Sequence, residues 1–167
     1  MHCHDSIDYS ALTRSIRRWA RDLGVSGIGI SGITLDDAEK SLLSWLDKGY
    51  HGDMDYMAAH GTKRTRPNEL VPGTLSVISA RLPYWPASAR DAREILADPS
   101  LAYISRYALG RDYHKVLRDR LQKLASRIEA ACQEIGLGPL QYRVFTDSAP
   151  VMEVALAAQT KLGWRGK

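Results

Sequence analysis

The stretch from Asp112 to Ile135 constrains the fold more than any other part of the chain. Leu117, Leu121, Leu124, Ile128, Ala131 and Ile135 recur at alternating steps of four and three, Arg118, Arg120, Lys123 and Arg127 fall mostly on the other faces, and Gly136 follows as a stop. This spacing predicts one long amphipathic helix whose apolar stripe has to be buried against a second layer. Cys132 lies on the same stripe, so it reads as a core residue.

The rest of the chain supplies that layer. Leu12, Ile16, Trp19 and Leu23, with Ser10 as the candidate cap and Gly24 as the stop, predict an amphipathic helix. Val25–Ile33 alternates β-branched with small residues and reads as a strand, its internal glycines pointing to a bulge or a close backbone approach. Thr34 is the candidate cap of a second helix that carries Leu42, Trp45 and Leu46 and ends at Gly49. A short helix is expected from Met54 to His60, a core strand from Leu75 to Leu82, a polar excursion up to Pro99 and a short helix from Ser100 to Leu109. Gln141–Thr146 reads as a third strand, followed by a helix capped by Asp147 and Ser148 with Pro150 in its first turn.

This order predicts an α/β chain of the α+β type, with a small mixed or antiparallel sheet flanked by helices, as one domain over residues 1–167. Three strands make a thin sheet, so pairing strands are expected beyond Lys167, and an unfinished edge would favour self-association.

With 167 residues, 44% of them hydrophobic and 25% charged, the chain is large and apolar enough for a packed core, which excludes disordered and fibrous classes. Its net charge of +4, with many basic residues between Arg81 and Arg127, suits a polyanionic partner such as nucleic acid as well as it suits a merely solvated surface. Two cysteines, Cys3 and Cys132, provide neither a disulfide framework nor a Cys-rich metal site. The first ten residues lack the pattern of a secretory signal, and no apolar run is long enough to span a membrane, so a cytoplasmic location is expected. His2, Cys3 and His4 read as an incidental terminal cluster.

Among the titratable residues, Asp147 stands out at a junction between a strand and a helix, where α/β proteins build sites. Two readings are open. As an N-cap it would be held as a carboxylate by free amides, whereas a general acid working near neutrality needs an environment that disfavours the charged form, such as an occluding cofactor or substrate. The run SRYALGRDYH from Ser105 to His114 gathers tyrosines, arginines, an aspartate and a histidine around one glycine and could line a polar cofactor pocket, although Tyr107 also reads as a core aromatic and Asp112 as another cap. Lys63, Arg64 and Arg66 could cradle a phosphate or a corrin side chain, or simply be solvated. No dinucleotide fingerprint, phosphate-binding loop, serine elbow or metal-binding helix motif is present.

In this order, HGDMDYM (His51–Met57), the R-x-x-P-x-x-L-x-P-G pattern (Arg64–Gly73), RYALGRDYHKVL (Arg106–Leu117), RVFTDSAPVME (Arg143–Glu153) and LGW-x-GK (Leu162–Lys167) are found in one known family. The chain resembles the amino-terminal, cobalamin-binding part of the epoxyqueuosine reductases. The resemblance implies a cobalamin-dependent reduction of epoxyqueuosine to queuosine in tRNA. It further implies that Asp147 is the proton donor to the epoxide oxygen, and that Arg64, Ser105, Tyr107, Asp112, His114 and Asp147 lie in or near the cobalamin pocket. The 4Fe-4S clusters that such enzymes use would have no cysteine ligands in this chain, and an iron–sulfur domain is expected to be absent from it.

Val154, Lys161 and Arg165 depart from the family pattern, where an arginine, a small residue and an apolar residue are usual. An Asp147 left exposed by the folded chain, with no cavity wide enough for a macrocycle, would sink the reading of an enzyme fragment that by itself retains part of a corrin site. The alternatives are a noncatalytic module that binds tRNA or cofactor and a structural remnant that binds neither.

Overall fold

The computed structural model describes residues 7–164. The amino-terminal His2, Cys3 and His4 and the Arg165 departure lie outside them.

The chain folds as α1 (Tyr9–Asp22), β1 (Gly27–Ser31), α2 (Asp36–Asp47), α3 (Pro67–Leu70), β2 (Val77–Arg81), α4 (Ala92–Ala97), α5 (Tyr113–Glu134) and α6 (Glu153–Gln159), with single 3-10 turns at Asp55–Met57, Gly61–Arg64 and Arg106–Ala108. β1 and β2 are antiparallel, with Gly27 opposite Arg81, Gly29 opposite Ser79 and Ser31 opposite Val77. The fold is therefore α+β with a small antiparallel sheet, as the sequence predicts. On one face of the sheet, Ile28, Ile78 and Ala80 pack with Ile16 and Ala20 of α1 and with Leu124, Ile128 and Cys132 of α5. This is the burial that the stripes of α1 and α5 require. α6 covers the other face, bringing the fully buried Leu156.

Strand β1 explains its own glycines. Its pairing with β2 is continuous, so there is no bulge. The close approach is real: a β-carbon on Gly29 would lie 1.9 Å from Thr160 Oγ1 at the end of α6, and one on Gly27 would lie 3.1 Å from Leu162 Cδ1. Glycine lets the short α6 reach the sheet.

Several sequence expectations are corrected. Asp8 caps α1, accepting from the Ala11 N–H at 2.9 Å, in place of Ser10. α2 starts after Leu35 with no side-chain cap, and Thr34 contributes a carbonyl that accepts from Gln159 Nε2 at 2.7 Å. Residues 141–146 form no strand or ladder among the described residues; Tyr142 is tied to α5 through Gln122. The helix expected over 100–109 is a single 3-10 turn, because Asp98 folds back on the Ser100 N–H and hydroxyl. The helix lies earlier instead, at α4, which Asp91 caps through the Arg93 N–H. The helix expected over 54–60 is likewise one 3-10 turn, Asp55–Met57.

A charged clasp holds the 61–70 segment on α2. Arg66 meets Glu39 through two parallel bonds of 2.7 and 3.0 Å, the Thr65 hydroxyl donates to Glu39, and Glu69 takes Arg66 at 3.1 Å and the Thr62 hydroxyl at 2.6 Å. The Arg66 guanidinium, followed by the Thr65 hydroxyl, pulls the Glu39 carboxyl down to about 2 from 4.5. A depressed carboxyl contributes its stabilisation fully above its unfolded value and loses it as pH falls through the folded one. Protection of the amides in residues 61–70, the observed exchange relative to the intrinsic rate at each pH, is therefore expected to fall between pH about 4.5 and about 2. In Glu39→Gln the exchange is expected to be faster at neutral pH and to lack that contribution to the acid dependence.

Candidate functional site

The site forms where the first turn of α5 meets the loop before α6. Asp112 caps α5 by accepting from the His114 N–H at 3.0 Å, and the same oxygen lies 2.9 Å from His114 Nδ1. The neighbouring His114, followed by the backbone bond, holds the Asp112 carboxyl below its ordinary value. Asp112 is thus a cap and also the anchor of an imidazole. With Nδ1 held in this way, His114 directs Nε2 to within 3.5 Å of Asp147 Oδ2.

Asp147 is not the cap of α6. That helix starts at Glu153, and Pro150 precedes it. The Asp147 backbone is left-handed, with φ of 51°, a conformation uncommon outside glycine and most accessible to Asn and Asp. It turns the carboxyl group toward α5. Packing around the Glu153 carboxyl, and then the negative charge of Asp147, raise the Glu153 pKa even though the residue as a whole is exposed.

Tyr113 completes the group. Its hydroxyl donates to Asp147 Oδ2 at 2.5 Å, its ring stacks on His114 at 4.0 Å and 29°, and the Tyr107 ring meets it edge-on at 5.7 Å and 85°. The hydrogen bond to Asp147 is the main reason that the Tyr113 hydroxyl is pushed up to about 12, so it remains a donor throughout the neutral range. Neither Tyr113 nor Glu153 stood out in the sequence. The available signal for Tyr113 was its place between Asp112 and His114 in DYH.

The structure thus brings together Asp112, His114, Asp147 and, through Tyr113, Tyr107. Arg64 is nearby only through its backbone, whose carbonyl accepts from the Met152 N–H at 3.2 Å. Its guanidinium is used locally, donating to the Met57 carbonyl at 3.0 Å and the Tyr56 carbonyl at 2.6 Å. The Ser105 side chain is exposed and makes no hydrogen bond to the cluster among the described residues.

The cluster lies on an open face. The Asp147 and His114 side chains are 52% and 45% exposed. A hollow of about 420 Å³ is lined by Arg111, Asp112, Lys115, Val116, Asp119 and Arg120 and includes neither of them. The desolvation expected for Asp147 is therefore not supplied by residues 7–164, which is the adverse exposure named above. Exposed apolar and aromatic side chains occupy the neighbouring segment, including Tyr103, Ile104, Tyr107 and Leu109, with Trp85 stacked under Arg106 at 4.0 Å. A gathering of exposed aromatic and apolar side chains suits a face that takes a ligand or partner. Among the described residues, no helix is long and apolar enough to cross a membrane.

Together these features define an α+β domain that presents a tyrosine–aspartate–histidine cluster on an open, partly aromatic face. Residues 64–148, which include both halves of the cluster, match the sequence family described as Epoxyqueuosine reductase QueG, DUF1730, and the chain belongs to that family. It is 56% identical over 160 residues to the epoxyqueuosine reductase of Pseudomonas aeruginosa, covering 96% of this chain and 43% of the relative. It is 49% identical over 163 residues to that of Escherichia coli, covering 98% and 41%. The fold matches the solved epoxyqueuosine reductase of Streptococcus thermophilus with a TM-score of 0.69 at 22% identity, over 92% of this chain and 40% of that one. The chain spans about two-fifths of the length of these relatives.

Proposed function

We propose that this chain is the proton-delivering, cobalamin-facing part of an epoxyqueuosine reductase acting on tRNA, with Asp147 as the proton donor to the epoxide oxygen. The observation that carries the reading is the convergence of Tyr113 and His114 on a left-handed Asp147 within the segment that defines the family.

Removing the epoxide oxygen takes two electrons and two protons and leaves a carbon–carbon double bond and water. When bound, a reduced cobalamin supplies the electrons. The residues on this face suit a flat, largely apolar macrocycle: Tyr107 stands 54% exposed beside Tyr113, and the buried Thr146 hydroxyl next to Asp147 has no protein partner. Tyr107, Asp112 and His114 would line it, with Ser105 at its margin. The Arg64 guanidinium would be held by two carbonyls through Nε and Nη2, with Nη1 left to reach the margin of the ligand. A ligand over one side of Asp147 and a nucleoside over the other would remove the solvent that residues 7–164 leave there, and that would favour a protonated carboxyl able to donate. We place the 4Fe-4S clusters in the part of the relatives outside the aligned two-fifths, since Cys132 belongs to the core and burial pushes its thiol up.

The test is a chimera in which this chain replaces the corresponding two-fifths of the Pseudomonas aeruginosa relative, expressed in cells lacking their own reductase. Chromatography of tRNA nucleosides is expected to show queuosine. Accumulation of epoxyqueuosine, with the chimera folded and abundant, would refute the reading.

A further inference from the structure

We infer that Tyr113 is a positioning residue that fixes which carboxyl oxygen of Asp147 works: its hydroxyl holds Oδ2, leaving Oδ1 to face the reacting group. The inference rests on the proposed role of Asp147 and adds a residue and an atom to it.

The geometry is one-sided. The Tyr113 hydroxyl, at 2.5 Å, and His114 Nε2, at 3.5 Å, both address Oδ2. Oδ1 has no hydrogen-bonding partner among the described residues. A carboxyl group on an open loop ordinarily rotates about its terminal bond, which interchanges its oxygens. A short bond from a tyrosine that is itself fixed suppresses that rotation. Tyr113 is fixed on both sides, by the stacked His114 ring and by the edge of Tyr107, and it occupies the first turn of a 22-residue helix. His114 in turn is anchored by Asp112. The rigid element thus reaches across to a strained loop and sets its one functional side chain. Proton transfer depends steeply on such alignment, because only a carboxyl aimed at the acceptor donates in the transition state.

The groups facing the Tyr113 hydroxyl are Asp147 first, with Tyr107 and Asp112 contributing in the same direction. This arrangement can be read without any turnover. Spectra of ¹³C-tyrosine in the intact chain, with Tyr113 assigned through Tyr113→Phe, are expected to show Tyr113 still protonated at pH about 10 to 11, where ordinary tyrosines ionise. In Asp147→Asn, which removes the charge and keeps an acceptor, it is expected to ionise at a lower pH than in the wild type. Amide spectra over the same range report whether the chain stays folded.

The functional arm uses the chimera. Tyr113→Phe removes only the hydroxyl and keeps both ring contacts, so a packing role would leave the kinetics unchanged. Loss of positioning is expected to lower kcat by about ten-fold or more while KM stays within about two-fold. Tyr113→Phe turning over like the wild type, or Tyr113 ionising with the other tyrosines whether or not Asp147 is present, would overturn the inference. An inactive wild-type chimera would instead refute the functional reading itself, while the spectra still decide whether Tyr113 and Asp147 are paired.

Discussion

Asp147→Asn is expected to lower epoxyqueuosine reduction by the chimera by about 10²- to 10⁴-fold, the range that a positioned general acid contributes. The substitution is chosen for what it leaves alone. Asn tolerates the left-handed backbone at φ 51° as Asp does, and the side chain is half exposed, so neither strain nor lost burial should unfold the loop. Its amide oxygen can still accept from the Tyr113 hydroxyl. What disappears is the proton that the carboxyl group would give. Alanine would confuse the result by adding backbone strain at a position where few side chains are comfortable. The check is single-turnover conversion measured by nucleoside chromatography, together with an unchanged thermal midpoint. Activity within ten-fold of wild type would mean that another group protonates the oxygen.

Gly29→Ala is expected to destabilise the chain by about 1–3 kcal/mol, the usual range for overpacking a well-packed site. The new β-carbon would lie 1.9 Å from Thr160 Oγ1, 2.3 Å from Thr160 Cβ and 2.9 Å from its Cγ2. Rotating the threonine side chain relieves the first contact but not the second, because Cβ is fixed by the backbone. The end of α6 therefore has to move. That helix is seven residues long and carries the fully buried Leu156, so it has little else with which to hold its place. Its first residue, Glu153, lies close enough to Asp147 for the charge of that carboxyl to raise its pKa, so the displacement is also expected to reach the site. Denaturant unfolding should show a lower midpoint for Gly29→Ala and a partial recovery in Gly29→Ala with Thr160→Gly, the signature of one shared contact. An unchanged midpoint in the single variant would refute the packing argument.

What could be read from the sequence follows from how far apart the determinants lie. The stripes of α1 and α5 are local and repeat over three or more turns, so the periodicity located both helices and identified Cys132 as a core residue. The glycines of β1 announced a close approach, but not that α6 would make it. α4 escaped notice because six residues hold too little periodicity, and its signal, the Asp91 cap, sat in a segment read as polar. Gln141–Thr146 has a strand's composition, yet a strand also needs a partner, and none pairs with it among the described residues.

The site shows the same division. Asp112, His114 and Asp147 were legible as chemistry, and the first two are joined locally by the cap. The bond between Tyr113 and Asp147 spans 34 residues and depends on a left-handed turn in an aspartate, which no local pattern announces. The anchoring of Arg64 on the carbonyls of Tyr56 and Met57 was not legible, because backbone acceptors leave no mark in the sequence.

A spectroscopic titration of the purified chain with cob(II)alamin asks whether the face formed by Tyr107, Tyr113, His114 and Asp147 takes a corrin. Saturable binding is expected, with a spectrum shifted from that of the free corrin and weakened in His114→Ala and Asp147→Asn. A folded chain that leaves the corrin spectrum unchanged at saturating concentration would contradict it.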